Sequence, residues 1–135
     1  MIGVVLDSNV YLSAVLFGGN PRSILEAAHA GLFELVSSPA ICAEVERVLR
    51  EKFKWPEGRI EEAGVVLWRQ AVQVVPKVRI DDCRDPDDNR VLECAVASSA
   101  SVIVTGDQHL LSLHPYSGIA IMKPKRFLDW ITGVA

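Results

Sequence analysis

Four acidic residues in distant parts of the chain have types and positions that could do chemistry: Asp7, Glu44, Asp88 and Asp107. Asp7 directly follows the short apolar run 2–6, and Asp107 closes a turn after the apolar run 102–104. Both aspartates could simply cap the helical turns that follow them, because Asp is a preferred N-cap residue. Their common position after an apolar run therefore indicates a functional site only in combination with the other two acids.

Glu44 is predicted to lie on the apolar side of a helix. It follows Ile41 by three residues and precedes Val48 by four, so the three side chains share one helical face. A carboxylate buried on such a face must be paired, protonated or bound to a metal, because burying it unpaired is very costly. The ordinary alternative is a glutamate at the edge of the stripe that reaches a nearby arginine.

The acidic run at residues 85–89 is predicted to open another helix. Asp85 has the position of an N-cap and Pro86 that of the first helical residue, while Asp87 and Asp88 fall in the first turn. Capping and the helix dipole account for Asp85 and Asp87. Asp88, however, precedes Leu92 by four residues and is therefore predicted to point toward the core.

A cluster of four carboxylates would suit one particular kind of ligand. All-oxygen sites bind hard divalent cations such as Mg²⁺ and Mn²⁺. Without a cation the like charges would repel one another and at least one proton would be retained. A bound cation of this type activates water and bridges phosphate oxygens, so the residues point to metal-assisted cleavage of phosphodiesters.

The elements that must position these acids alternate between strands and helices. Apolar runs rich in β-branched residues predict five strands, at 2–6, 33–36, 72–75, 102–104 and 119–121. Helical patterns with capping signals predict helices at 10–16, 21–30, 38–54, 57–71, 85–99 and 124–131. This alternation predicts an α/β fold with a mostly parallel, doubly wound sheet, in which ligands bind beyond the carboxyl ends of the strands.

The composition fits one folded domain over residues 1–135. Half of the residues are hydrophobic and 23% are charged, and the net charge of −3 argues against a polybasic nucleic-acid binder. The three cysteines form no CxxC pair, which predicts reduced thiols rather than a disulfide framework or a zinc site. The chain has neither a basic, apolar leader nor an apolar stretch long enough to span a membrane, which predicts a cytoplasmic protein with no membrane partner.

Several short motifs, taken in order, are shared with one family. They are Val5-Leu6-Asp7-Ser8-Asn9-Val10, Ser37-Ser38-Pro39 followed by Glu44, the run from Asp85 to Ala95, Ile103-Val104-Thr105-Gly106-Asp107, and Ile121-Met122-Lys123-Pro124. In these motifs the chain resembles the PIN domains, and among them the VapC-like toxins of type II toxin–antitoxin systems. The resemblance implies a single three-layer α/β/α domain that acts as a Mg²⁺- or Mn²⁺-dependent endoribonuclease.

The resemblance also implies roles for individual residues. The metal-binding and catalytic set is Asp7, Glu44, Asp88 and Asp107. Asn9 and Thr105 match positions that support such a site by hydrogen bonding. Whether Asp85 or Asp87 also helps to bind the metal is left open. The implied partners are an RNA substrate, a cognate antitoxin protein and a second copy of the chain in a homodimer.

Basic residues predicted near the same edge of the sheet are the candidate contacts for RNA phosphates: Arg22, Arg84, Arg90, His109 and Lys123. For any one of them, surface solubility is an ordinary alternative role.

Two other functions are compatible with part of the sequence. A PIN fold that has lost catalysis could bind RNA or protein alone, although the presence of all four acids favours activity. A phosphorelay receiver domain is also a small doubly wound sheet with acids at strand ends, and Met122-Lys123-Pro124 resembles its lysine–proline pair. A receiver needs two adjacent acids after its first strand, however, and here only Asp7 follows that strand.

Overall fold

Five parallel strands form the centre of the structure, a computed structural model that describes residues 1–133. The strands are β1 (Gly3–Leu6), β2 (Glu34–Ser37), β3 (Val72–Gln73), β4 (Val102–Val104) and β5 (Ala120–Met122). They lie in the order β3-β2-β1-β4-β5, and every neighbouring pair is parallel. The predicted three-layer α/β architecture is confirmed, and the described sheet is wholly rather than mostly parallel.

Helices pack against the sheet and connect the strands. They are α1 (Ser8–Leu16), α2 (Gly19–His29), α3 (Pro39–Glu51), α4 (Glu57–Trp68), α5 (Pro86–Ser98), α6 (Gln108–Leu111) and α7 (Pro124–Thr132). Most predicted elements are present with ends shifted by a few residues. The short helix α6 is the helical turn after Asp107 that the capping alternative allowed. Its four residues make about one turn, too few for periodicity alone to predict a helix. No helix within residues 1–133 has the length and apolar character needed to span a bilayer.

Two predicted boundaries differ for local reasons. Helix α1 begins at Ser8 rather than at Val10, because Asp7 already has the extended backbone of an N-cap residue. Strand β3 contains two residues rather than four. Its last ladder contact is the hydrogen bond from Val74 N to Ser37 O, at 2.9 Å, after which the chain leaves the sheet ahead of Pro76.

The core lies on both faces of the central strands. Val4, Val5 and Leu6 of β1 are fully buried, as expected for a parallel strand covered by helices on each side. On one flank, the ring of Phe127 in α7 packs edge-to-face on Phe33, with 5.1 Å between the ring centroids. This packing anchors α7 to the segment that leads into β2.

The strand order identifies where a ligand would bind and excludes one alternative. Chain order reverses at β1, which lies between β2 and β4, and such switch points form the ligand crevice of doubly wound folds. A receiver domain has the order 2-1-3-4-5, in which the first strand lies between the second and the third. The order found here is different, so the receiver alternative was wrong.

Candidate functional site

Asp7 and Asp107 follow the two strands that border the switch point, and Thr105 connects them. The Asp7 amide continues the ladder by donating to Val104 O at 2.9 Å. The Thr105 hydroxyl donates to Asp7 Oδ2 at 2.7 Å and accepts a hydrogen bond from Asp107 N at 3.0 Å. Thr105 is fully buried, so this connection fixes the Asp7 carboxylate at the carboxyl edge of the sheet.

Burial changes the acidity of Asp7. Only 5% of the residue is exposed, and this burial raises the pKa of its carboxyl group, with a further increase from the charge of Asp107. The hydrogen bond from Thr105 and the nearby amide of Asn9 lower the pKa in the opposite direction. Asn9 is itself exposed, and it is its backbone amide that hydrogen-bonds to the Asp7 carboxylate.

Asp88 is the third acid at this edge. It lies in the first turn of α5, only 6% exposed. Burial and a hydrogen bond with the carboxyl group of Asp107 raise the pKa of Asp88 to about 8, and the charge of Asp7 adds to the effect. The structure therefore brings Asp7, Asp88 and Asp107 together as a group of carboxyl groups that retains a proton near neutral pH.

Capping residues explain why these acids are held where they are. Asp85 is the N-cap of α5 and accepts a hydrogen bond from Asp87 N at 3.0 Å, as its position in the sequence predicts. Asp107 caps α6 by accepting a hydrogen bond from His109 N at 2.9 Å. Asp107 thus has both the capping role and a place in the acidic group.

Glu44 lies beside this group but has a different partner. Its side chain is 16% exposed, and Glu44 Oε2 is 2.7 Å from Arg47 Nη2 one turn later on α3. The same Arg47 nitrogen is 3.9 Å from Asp87 Oδ2. Burial and contact with Glu44 raise the pKa of Asp87 to about 6. The sequence predicted Asp87 only as a favourable charge at a helix end, whereas the structure places it against Glu44.

Three of the four predicted acids, Asp7, Asp88 and Asp107, thus form one group. The fourth, Glu44, lies nearby and is paired with Arg47. Within residues 1–133 no three His, Cys, Asp or Glu side chains are already arranged to hold a metal ion. The donor chemistry of the acidic group nevertheless fits a hard divalent cation. Burial and neighbouring carboxylates raise the pKa of Asp7 and that of Asp88, a cost that a bound cation would relieve, and oxygen ligands are those that Mg²⁺ and Mn²⁺ prefer.

A cavity of about 590 Å³ is lined by Asp88 and by two of the basic residues that were predicted to contact RNA. Arg84 and His109 both line it. Lys123 is exposed and directly follows β5, which pairs with β4, so it lies at the same edge of the sheet as Thr105.

The other two predicted RNA contacts lie elsewhere. Arg22 lines an apolar cavity with residues of α1, α2 and α4, and donates to Ala14 O at 3.4 Å. Arg90 is bound to Glu93, with 2.9 Å between Arg90 Nε and Glu93 Oε1, and donates to Ile80 O at 3.4 Å. Glu93 also accepts from Ile80 N at 2.8 Å, so Arg90 fastens the segment before α5 rather than facing the acids.

Arg47 is the arginine that Glu44 reaches, as the alternative for a glutamate at the edge of the apolar stripe predicted. The sequence alone did not indicate which arginine this would be, and the side chain of Arg47 is 53% exposed. The available signal was its spacing of three residues from Glu44, at which side chains on a helix meet. The spacing of Arg90 and Glu93 carried the same signal.

Comparisons with known proteins agree with this architecture. A family model described as PIN domain matches residues 3–109. The chain is 34% identical over 142 residues to an uncharacterized protein of Methanocaldococcus jannaschii, an alignment that covers 95% of this chain and 90% of that protein. Its fold is similar to a chain in the crystal structure of VapBC2 from Rickettsia felis bound to a DNA fragment from their promoter. That match has a TM-score of 0.65 and 12% identity, and covers 90% of this chain and 98% of the other.

Proposed function

The chain belongs to the PIN domain family, whose members are generally nucleases, and we propose that it is a Mg²⁺- or Mn²⁺-dependent endoribonuclease. One observation supports the proposal: Asp7 and Asp107 follow the two strands that border the switch point of the sheet, and burial together with these two neighbours raises the pKa of Asp88 to about 8. Nuclease sites that use divalent cations need such oxygen ligands at an accessible edge.

The proposed roles follow from the contacts of each side chain. Asp7, Asp88 and Asp107, joined by Glu44, would hold the cation. When bound, a cation of this kind lowers the pKa of water and stabilises negative charge on phosphate oxygens. Thr105 keeps the Asp7 carboxylate in one orientation through its 2.7 Å hydrogen bond.

RNA would approach through the cavity beside Asp88. Arg84 and His109 line that cavity, and Lys123 lies at the same edge of the sheet, so these basic residues are proposed to contact phosphates on either side of the scissile bond. Arg22 and Arg90 are left out of this proposal, because the first lines a separate cavity and the second is bound to Glu93.

Cleavage of a labelled RNA tests the enzyme directly. Wild type, Asp7→Asn and Asp85→Asn are compared in Mn²⁺ and in EDTA. Asp7→Asn keeps the shape of the side chain but removes a charged ligand, so we expect its rate to fall by about 10²-fold or more, as when roughly 3 kcal/mol of transition-state stabilisation is lost. Asp85→Asn is the matched control, because Asn also caps helices well.

Two results would refute the metal-dependent nuclease. One is a wild-type rate that EDTA leaves unchanged, and the other is full activity in Asp7→Asn. Loss of activity in Asp85→Asn to the same extent would instead mean that the assay reports damage to α5.

A catalytically inactive PIN fold that binds RNA or protein is the second candidate function. It is favoured by the arrangement of Glu44, which is bound to Arg47, and by the lack of three ligands already in place within residues 1–133. The same assay separates the two candidates, since an inactive binder would shift RNA in a gel without Mn²⁺-dependent cleavage.

We further propose that the chain is the toxin of a type II toxin–antitoxin system and forms a homodimer. The fold similarity to a VapBC2 chain supports this proposal, as does Trp130, a large aromatic residue that is 51% exposed. Expression should arrest bacterial growth in wild type but not in Asp7→Asn, and a neighbouring gene product should relieve the arrest. Light scattering that shows a monomer across micromolar concentrations would reject the homodimer.

A further inference from the structure

Arg47 forms an ion pair with Glu44, one of the four predicted ligands. The guanidinium group is 2.7 Å from Glu44 Oε2 and 3.4 Å from Glu51 Oε2, so it is fixed from two sides on the surface of α3. It also lies 3.9 Å from Asp87 Oδ2. One arginine is thus the common counter-ion of a carboxylate proposed as a ligand and of the acid beside it.

The contacts of Glu44 and those of the acidic group do not overlap. Asp88 contacts Asp107, and Asp7 contacts Thr105, whereas Glu44 contacts Arg47 and Asp87. A carboxylate oxygen occupied by a guanidinium is a poorer ligand, because its negative charge is already neutralised and its lone pair is engaged. Glu44 can therefore serve a cation fully only if Arg47 releases it.

We propose that Arg47 competes with the divalent cation for Glu44 and so weakens metal binding by the folded protein. This inference rests on the proposed function, since it takes Glu44 as a ligand. The ion pair of Arg47 with Glu44 must be broken before Glu44 can bind the cation, and this exchange lowers the affinity. Arg47 is thus a positioning residue that acts through Glu44.

Direct metal binding tests this proposal without a nuclease assay. Mn²⁺ is titrated into the full chain by calorimetry at low ionic strength, and free Mn²⁺ is measured by electron paramagnetic resonance. Arg47→Gln should bind Mn²⁺ about two- to fivefold more tightly than wild type, the range expected for releasing one exposed ion pair. Arg50→Gln is the matched control, because Arg50 lies on the same helix and pairs with Glu57 instead, with 3.2 Å between Arg50 Nη2 and Glu57 Oε2. Its affinity should equal that of wild type.

A double-mutant cycle separates competition for Glu44 from a general effect of charge. In a Glu44→Gln background, Arg47→Gln should leave Mn²⁺ affinity unchanged, because the carboxylate for which the arginine competes is gone. A gain of affinity that persists in this background would overturn the proposal, as would an unchanged or weaker affinity in Arg47→Gln alone. In either case, binding of Mn²⁺ by the wild-type protein would still support the proposed function. Failure of wild type to bind Mn²⁺ at all would refute the metal site, and the competition with it.

Discussion

The buried carboxyl group of Asp88 links the stability of the protein to pH. Its pKa rises from 3.8 to about 8 on folding, so the folded state holds a proton that the unfolded chain loses more readily. The sign follows from this difference: its contribution is intact below about pH 4 and is lost as the pH rises toward 8. Asp88→Asn should therefore stabilise the metal-free protein by about 1–3 kcal/mol at pH 8 and hardly at all at pH 4.

Urea unfolding in EDTA at several pH values measures this effect. Asp129→Asn serves as the control, because Asp129 forms a surface ion pair with Lys125 at 3.0 Å. The stability difference between this variant and wild type should change little with pH. If wild type and Asp88→Asn lose stability in parallel as the pH rises, Asp88 does not carry the retained proton.

The hydroxyl group of Thr105 should stabilise the fold through its two hydrogen bonds. Thr105→Val keeps the shape but removes the donor to Asp7 and the acceptor for Asp107 N, so each of these two groups loses a hydrogen-bond partner. We expect a loss of about 1–3 kcal/mol in the free energy of unfolding at pH 7.5. Thr105→Ser keeps the hydroxyl and should lose less, so equal losses in the two variants would mean that the hydrogen bonds contribute no more to stability than the methyl group.

At the scale of elements, Phe127 is the buried side chain through which α7 packs on the domain. Phe127 is fully buried against Phe33, whereas Trp130 on the same helix is 51% exposed. Phe127→Ala should cost about 3–5 kcal/mol, a large share of a typical stability of about 5–15 kcal/mol. Trp130→Ala should cost much less, and chemical unfolding of the two variants side by side measures the difference. Equal losses would mean that α7 is not anchored through Phe127.

The elements also show how far the sequence could predict the molecule. Apolar runs and capping residues located the five strands, and the carboxyl-edge positions of Asp7 and Asp107 followed from the strand ends. Periodicity assigns a side chain to a face of its own helix, but it does not say which residue of another element meets that face. The contact of Asp88 with Asp107 and that of Asp87 with Glu44 both cross between elements, so they required the structure.

At the scale of the whole molecule, a cation and a proton compete for the same carboxyl groups of the folded protein. Three carboxyl groups at one edge of the sheet are repulsive without a cation, and the folded state alone brings them together. Any cation that binds the folded form and not the unfolded chain stabilises the fold by mass action. Stability should therefore report metal binding even in the absence of RNA.

Mg²⁺ or Mn²⁺ at about 100 times its dissociation constant should add about 2.7 kcal/mol of stability. For a domain of this size that corresponds to a rise in Tm of roughly 10 °C. The rise should be largest near pH 8 and smaller at pH 5.5, because at the lower pH the cation must displace the proton that Asp88, with its pKa of about 8, still holds. Thermal unfolding of wild type and Asp7→Asn, with and without the cation at both pH values, measures this dependence. A wild-type rise that is as large at pH 5.5 as at pH 8, or that survives fully in Asp7→Asn, would place the cation away from these carboxyl groups.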